Sequence, residues 1–296
     1  MNPRLSVVIA SVNGLGCISE CLEKLEALPE RAQMEILVFD RRSDDTARTI
    51  AQRFPRVTLH AGLTGKSIPE LRWMGMLAAR AEWVAVIEDH CLVTPAWAGE
   101  ILRFSESPFG AVGGPVENGS CGRILDWAFF LGEYGPAMPP LAEGEAESAP
   151  GNNVAYRRSV LPLDEPAWAT LWESFLQKEL RRRVVRIFLN PAMLVYHKKS
   201  FGLGEMLEQR FLYSRSFAAI RGREMTTGKR MLYAVLSLLL PGLLLWRIFR
   251  CVVSKRRNFR ELGLGLPAIG LFVLSWAVGE MVGYLAGPGD SLERVE

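Results

Sequence analysis

The chain has 296 residues and a formal net charge of +3, and 49% of its residues are hydrophobic. This length can bury a full core as one large domain or two. Its five cysteines (Cys17, Cys21, Cys91, Cys121 and Cys251) form no CxxC pair and no disulfide-like ladder, which excludes a disulfide scaffold and points to a reducing compartment.

The N-terminal half reads as alternating strands and helices. Leu5–Ala10 has a buried-strand pattern that breaks at Asn13-Gly14-Leu15-Gly16, and helical spacing follows over 17–28. Glu35–Phe39 is a second strand closed by Asp40, a helix rich in Ala and Arg covers 44–53, and Val57–Leu59 is a third short strand. A helix over 68–80 leads into Trp83–Ile87, an apolar run suited to a strand buried on both faces. This β-α-β-α-β order at this spacing predicts an α/β fold on a mostly parallel sheet. The first apolar run, Ser6–Val12, is too short for a secretory signal, and no internal repeat is present.

Three residues rich in ligand atoms, Glu88-Asp89-His90, follow the fourth strand at the carboxyl edge, where open α/β sheets bind ligands. Two carboxylates and an imidazole there suit a divalent cation and the anion it holds; taken alone, such a triplet is better read as a solvated polar turn. Asp40, at the same edge, suits a ribose hydroxyl or a base N–H, or else caps a helix. Gly14-x-Gly16-x-x-Ser19 has part of a dinucleotide-binding loop but lacks its third glycine, so a nicotinamide-dependent dehydrogenase is disfavoured.

Further on, Gly110–Val116 reads as another strand, 124–134 as a helix with several aromatics, and Gly135–Pro150 as a mobile loop. Gly151-Asn152-Asn153 offers a dense set of amide donors and acceptors suited to sugar hydroxyls. Glu173 opens an Arg-rich helix, and Asn190–His197 is a loop and then a strand ending in His197.

In this order the motifs resemble those of the family 2 glycosyltransferases of the GT-A fold. Ser6–Ile9, Asp40–Thr46, Arg72-Trp73-Met74-Gly75, Glu88–His90 and Gly151–Arg158 correspond to successive family segments, with Glu and His replacing the two Asp of the D-x-D metal motif. The resemblance implies a GT-A domain over 1–200 and transfer from a nucleoside-diphosphate sugar, UDP-linked by preference. It implies Glu173 as the catalytic base. Asp40, Arg72, Glu88, Asp89, Asn152 and Asn153 would contact the nucleotide sugar, and His90 and His197 would hold Mn2+ or Mg2+. Glu208-Gln209-Arg210-Phe211 matches the family's Q-x-x-R-W signature only in part, which argues against processive polymer synthesis.

The C-terminal third is basic and apolar. Residues 178–260 carry 19 Lys/Arg against 4 Asp/Glu, a block suited to anionic lipid or nucleic acid. The apolar neighbours favour lipid. A basic amphipathic helix is expected over 201–230, membrane-associated helices over 231–286 and a tail over 287–296. Met231–Trp246, sixteen residues interrupted by Pro241 and flanked by cations on both sides, is expected to be re-entrant or interfacial. Leu262–Ala286 is long enough to cross alone. Together these features predict a membrane-associated inverting glycosyltransferase with a cytoplasmic catalytic domain and a lipid, lipid-linked or cell-surface glycan acceptor. The replaced metal-motif residues leave open a catalytically degenerate sugar-nucleotide-binding or glycan-binding membrane protein.

Overall fold

A computed structural model describes residues 2–296. They divide into two compact units, Met1–Gly119 with Ala137–Lys198 and Ser120–Pro136 with Lys199–Glu296. The second unit thus takes in 120–136, inside the span expected for the first domain.

In chain order the elements are β1 (Leu5–Ser11), α1 (Leu15–Glu26), β2 (Met34–Asp40), α2 (Thr46–Arg53), β3 (Val57–His60), α3 (Ile68–Ala78), β4 (Trp83–Glu88), β5 (Cys91–Val93), α4 (Trp97–Leu102), β6 (Ala111–Gly113) and β7 (Val116–Asn118). They continue with α5 (Ile124–Tyr134), β8 (Gly144–Ala146), β9 (Asn153–Arg157), α6 (Glu173–Arg182), β10 (Ile187–Leu189), β11 (Val195–His197), α7 (Leu203–Gly222), α8 (Thr227–Leu236), α9 (Leu240–Lys255), α10 (Phe259–Ala286) and α11 (Ser291–Arg294).

The first unit is the expected α/β fold. Eight strands form one sheet in the order β3-β2-β1-β4-β9-β6-β10-β8. The β3-β2-β1-β4 half is parallel, and β9 runs antiparallel between β4 and β6. Every residue of β1 and β2 is buried, as their unbroken Val/Ile/Leu runs require. α3 starts at a capping box, in which Ser67 and Glu70 satisfy each other's backbone N–H groups. It then lies so close to β1 that a Cβ on Gly75 would fall 2.1 Å from Val8 Cγ1.

Two differences from the sequence reading matter. Gly110–Val116 is not one strand: β6 and β7 separate at Gly114-Pro115, where a Cβ on Gly114 would lie 1.9 Å from the Met193 carbonyl oxygen. β7 then joins a second, three-stranded sheet of order β5-β11-β7. The segment expected as a mobile loop also contributes β8, which pairs antiparallel with β10 and carries Glu145 against Arg186 at 2.9 Å. A charged, three-residue strand is a common way to end a sheet without inviting further pairing.

The second unit is helical and built around α10. Gly279 and Gly283, four residues apart, let α10 approach α7 closely: a Cβ on Gly279 would lie 2.5 Å from Phe211 O, and one on Gly283 2.3 Å from Arg215 O. Arg210 is buried in this unit, with its guanidinium 3.9 Å from the Trp276 ring centre and paired with Glu133. Glu280 is tolerated within α10 because Arg221 pairs with it at 2.6 Å and the Trp276 ring N–H donates to it.

The first apolar segment is longer than expected. Its helical run spans Thr227–Lys255, 29 residues, with a 3-10 turn at Ser237–Leu239. Pro241 falls in the first turn of α9, where a missing N–H costs no helical bond, so it does not end the run. The run therefore extends well past Met231–Trp246, and the argument from short length for a re-entrant segment fails. Both Thr227–Lys255 and Phe259–Ala286 are long and apolar enough to cross a membrane.

Gly75→Ala tests the packing that presents α3. It should lower stability by about 1–3 kcal/mol through overpacking against Val8. Gly16→Ala, at a helical glycine with nothing within 4 Å of its added Cβ, should be neutral or stabilising. Thermal unfolding of the two variants makes the comparison, and equal melting temperatures would refute the close α3–β1 contact.

Candidate active site

The site is assembled where β4 ends. In the register of the sheet, Ala10 pairs with Glu88 and Ser11 with Asp40, so β1 separates the ends of β4 and β2. At a strand spacing of about 4.8 Å, this puts Asp40 roughly 10 Å across the carboxyl edge from Glu88. Asp40 is fully buried and neither carboxylate oxygen completes a hydrogen bond. Burial pushes its carboxyl up, opposed by Ser11 and the backbone of Arg42. A carboxylate so placed is ready to accept hydrogen bonds from a ligand.

Asp89 turns inward. Its Oδ2 accepts from the backbone N–H groups of Val12 and Asn13, each at 2.8 Å, and its Oδ1 accepts from Asn13 Nδ2 at 2.6 Å. Oδ1 also lies 3.0 Å from His90 Nδ1. Asp89 thus fixes the loop after β1 and orients the His90 ring, leaving Nε2 to face the site. The structure gives it no direct contact surface for a nucleotide sugar, which was its expected role.

The second sheet brings in His197. β5 begins directly after His90, and β11 pairs with it so that His197 faces Cys91, with the Lys198 N–H donating to the His90 carbonyl at 2.9 Å. The two Nε2 atoms come within 2.8 Å of each other, and Glu88 Oε2 lies 3.3 Å from His90 Nε2. Ligand atoms of Glu88, His90 and His197 all lie within 4.8 Å of one another. One carboxylate and two imidazoles converging from two segments, the β4–β5 turn and β11, fit a divalent cation, with the nitrogens favouring Mn2+ over Mg2+.

The electrostatics agree. Burial pushes the Glu88 carboxyl up, but hydrogen bonding and charge from His90, with Arg72 and His197, outweigh it and hold Glu88 far below the usual carboxylate range. Burial lowers His90, yet Asp89 and Glu88 raise it overall. This is a pocket that stabilises positive charge.

On the other side of Glu88 stands Arg72, 4% exposed, with one terminal nitrogen 3.3 Å from Glu88 Oε1 and the other 2.5 Å from Glu173 Oε1. Its guanidinium is engaged by two carboxylates rather than presented to a nucleotide. Glu173 is the first residue of α6 and is buried beside Gly151, where a Cβ would come within 3.2 Å of its carboxylate.

The two asparagines part ways. Asn152 donates to Glu88 Oε2 at 3.1 Å, and its own Oδ1 is buried without a partner. Asn153 is spent on the scaffold: it accepts from Trp97 Nε1 at 2.9 Å and donates to the carbonyls of Pro115 and Met193. Both of its amide hydrogens are committed to backbone and the side chain is wholly buried, so in this structure Asn153 braces the segments around the site. Sequence reasoning also missed Gln177, which holds Ala149 through both backbone groups and donates to the Tyr156 hydroxyl. Its position one turn beyond Glu173 on α6 was the available signal.

Known proteins place the fold. No curated protein matches the chain in sequence. Among solved structures, a mannosyltransferase from Pyrobaculum calidifontis in complex with GDP-Man and Mn2+ is similar at 17% identity and TM-score 0.56, over 95% of this chain and 88% of that one. S. aureus TarS 1-349 in complex with UDP-GlcNAc is similar at 14% identity and TM-score 0.51, over 95% and 91%. At such identities the likeness establishes the fold, which is that of the GT-A glycosyltransferases. Residues 6–162 match the sequence profile described as glycosyl transferase family 2, a span that contains Asp40, Arg72, Glu88, His90 and Asn152. By that match over more than half its length, the chain belongs to glycosyl transferase family 2.

Proposed function

We propose that the protein is a membrane-attached, metal-dependent, inverting glycosyltransferase that uses a nucleoside-diphosphate sugar, UDP-linked by preference, and a lipid, lipid-linked or cell-surface glycan acceptor. The observation that carries this reading is the convergence of Glu88, His90 and His197 next to a separate buried carboxylate, Glu173, joined to Glu88 through Arg72. One set of side chains is suited to the leaving group and the other to the attacking hydroxyl. Both similar structures have nucleotide sugars bound, one of them with Mn2+.

In this reading Asp40 accepts hydrogen bonds from the base or ribose, and Asn152 presents its unpartnered Oδ1 toward the donor. Glu88, His90 and His197 would hold a divalent cation, which would supply positive charge against the departing diphosphate. Glu173 accepts the proton of the acceptor hydroxyl as that oxygen attacks the anomeric carbon from the face opposite the leaving group. Arg72 holds the base in one orientation, and Asp89 holds the His90 ring.

The two apolar helices support attachment to a membrane. Cations flank both ends of the first: Arg221, Arg223, Lys229 and Arg230 before or at its start, and Arg247, Arg250, Lys255, Arg256, Arg257 and Arg260 toward and beyond its end. The positive-inside rule draws both ends to the cytoplasmic side with the catalytic unit, which supports a first helix lying in the interface and a second that crosses alone. A single crossing carries the C-terminus to the far side, whereas two crossings would return it to the cytoplasmic side.

Glu173→Gln should cut turnover by roughly 10²–10⁴-fold with sugar-nucleotide affinity nearly unchanged; retention of most activity removes Glu173 from the mechanism. His90→Ala should abolish the metal-dependent part of UDP binding measured by calorimetry, and His197→Ala should weaken it. Equal UDP binding by the wild type with and without chelator would overturn the metal reading. For topology, a membrane-impermeant thiol reagent should label a Glu293→Cys, Cys121→Ser variant in intact cells. Glu293 suits this probe because it is exposed, whereas neighbouring Ser291 is buried. Labelling only after permeabilisation would mean that both helices cross.

A further inference from the structure

Arg72 stands between two carboxylates with different tasks. Its two terminal nitrogens divide between Glu88 Oε1 at 3.3 Å and Glu173 Oε1 at 2.5 Å, and the side chain is almost wholly enclosed. Glu88 is also divided: its Oε2 faces His90 and Asn152 while Oε1 faces Arg72. The guanidinium and a cation on the His90–His197 side therefore compete for the same carboxylate.

We infer that Arg72 is a positioning residue that couples the metal site to the base, passing from a shared hold on Glu88 and Glu173 to a hold on Glu173 alone when the metal site is filled. This rests on the metal and base assignments proposed above. The physical argument is one of charge. Two positive groups sharing one carboxylate repel each other, and in a buried site that repulsion is weakly screened. A buried guanidinium forced off one acceptor is costly unless another is in place, and here Glu173 already is. Transfer of the guanidinium keeps every buried charge paired and fixes the Glu173 carboxylate once the donor side is loaded. By linkage, whatever strengthens the Arg72–Glu173 pair must favour the filled metal site, and whatever removes Glu173 must oppose it.

A double-mutant cycle on the full-length protein in detergent tests this, with Mn2+ affinity read from the EPR signal of the free ion. Arg72→Gln removes the competing charge and should tighten Mn2+ binding by about tenfold. Glu173→Gln confines Arg72 to Glu88 and should weaken Mn2+ binding several-fold. In the double variant the effect of Glu173→Gln should largely vanish, because the group that transmits it is gone. Strictly additive effects would show that Glu173 acts only as a nearby charge and would overturn the coupling. Unchanged or weaker Mn2+ binding in Arg72→Gln would overturn it as well. If Arg72→Gln does not fold, the Glu173→Gln arm with Arg72→Lys decides: Lys keeps one charge but cannot bridge two carboxylates, so its response to Glu173→Gln should be smaller than that of the wild type. An equal response refutes the inference. Absence of Mn2+ binding by the wild type would overturn the metal reading and this inference together. Wild-type binding that is lost in His90→Ala but is indifferent to Arg72 and Glu173 would overturn the inference alone.

Discussion

Much of the catalytic unit depends on one buried carboxylate. Asp89 has no exposed surface, and it is stabilised by two backbone N–H groups of the loop after β1 and by the amide of Asn13. Burial pushes its carboxyl up, but hydrogen bonding to and charge from His90, with the bonds from Asn13, hold it below the usual carboxylate range. The same group lies beside His90 Nδ1 and so fixes which ring nitrogen meets His197. Loss of this anchor would free the Val12–Gly14 loop and the imidazole together. A turn between two strands here sets the geometry of a binding site.

Around that anchor the chain keeps its buried charges paired by sharing. Glu88 faces a guanidinium, an amide and an imidazole, while Arg72 faces two acids. Buried ion pairs add little net stability, so the network is better understood as holding several reactive groups in fixed orientations. Asn153 and Gln177 extend the same logic to neutral groups: each spends its hydrogen bonds on loop backbone near the site and keeps the surrounding segments in place.

The parallel half of the sheet was legible because its strands are buried on both faces and written as unbroken apolar runs ending in Asp40 and Glu88. Periodicity said less about the three-residue strands. β6, β7 and β8 are too short to carry a pattern, and the break at Gly114 depends on the approach of Met193 from about eighty residues away. In the site, residue type and order pointed to Glu88, His90 and His197, which the fold brings together. What sequence could not tell was the direction in which a side chain faces. Asp89 and Asn153 have the chemistry of ligand contacts and serve as scaffold, and Arg72 turns out to bridge acids. The reach of the first apolar helix was misjudged for a related reason: a proline in a helix's opening turn looks in sequence like one that breaks it.

Under the proposed membrane attachment, the two apolar helices would have a kinetic consequence. A catalytic unit tethered to a bilayer meets membrane-borne partners at an effective concentration set by the tether's reach and by crowding in the lipid plane, rather than by amounts in bulk solution. Selection on such an enzyme acts on encounter within a surface. Tight intrinsic affinity for the acceptor would then be unnecessary, and a water-soluble fragment of a membrane-borne acceptor would understate how well the protein works when anchored.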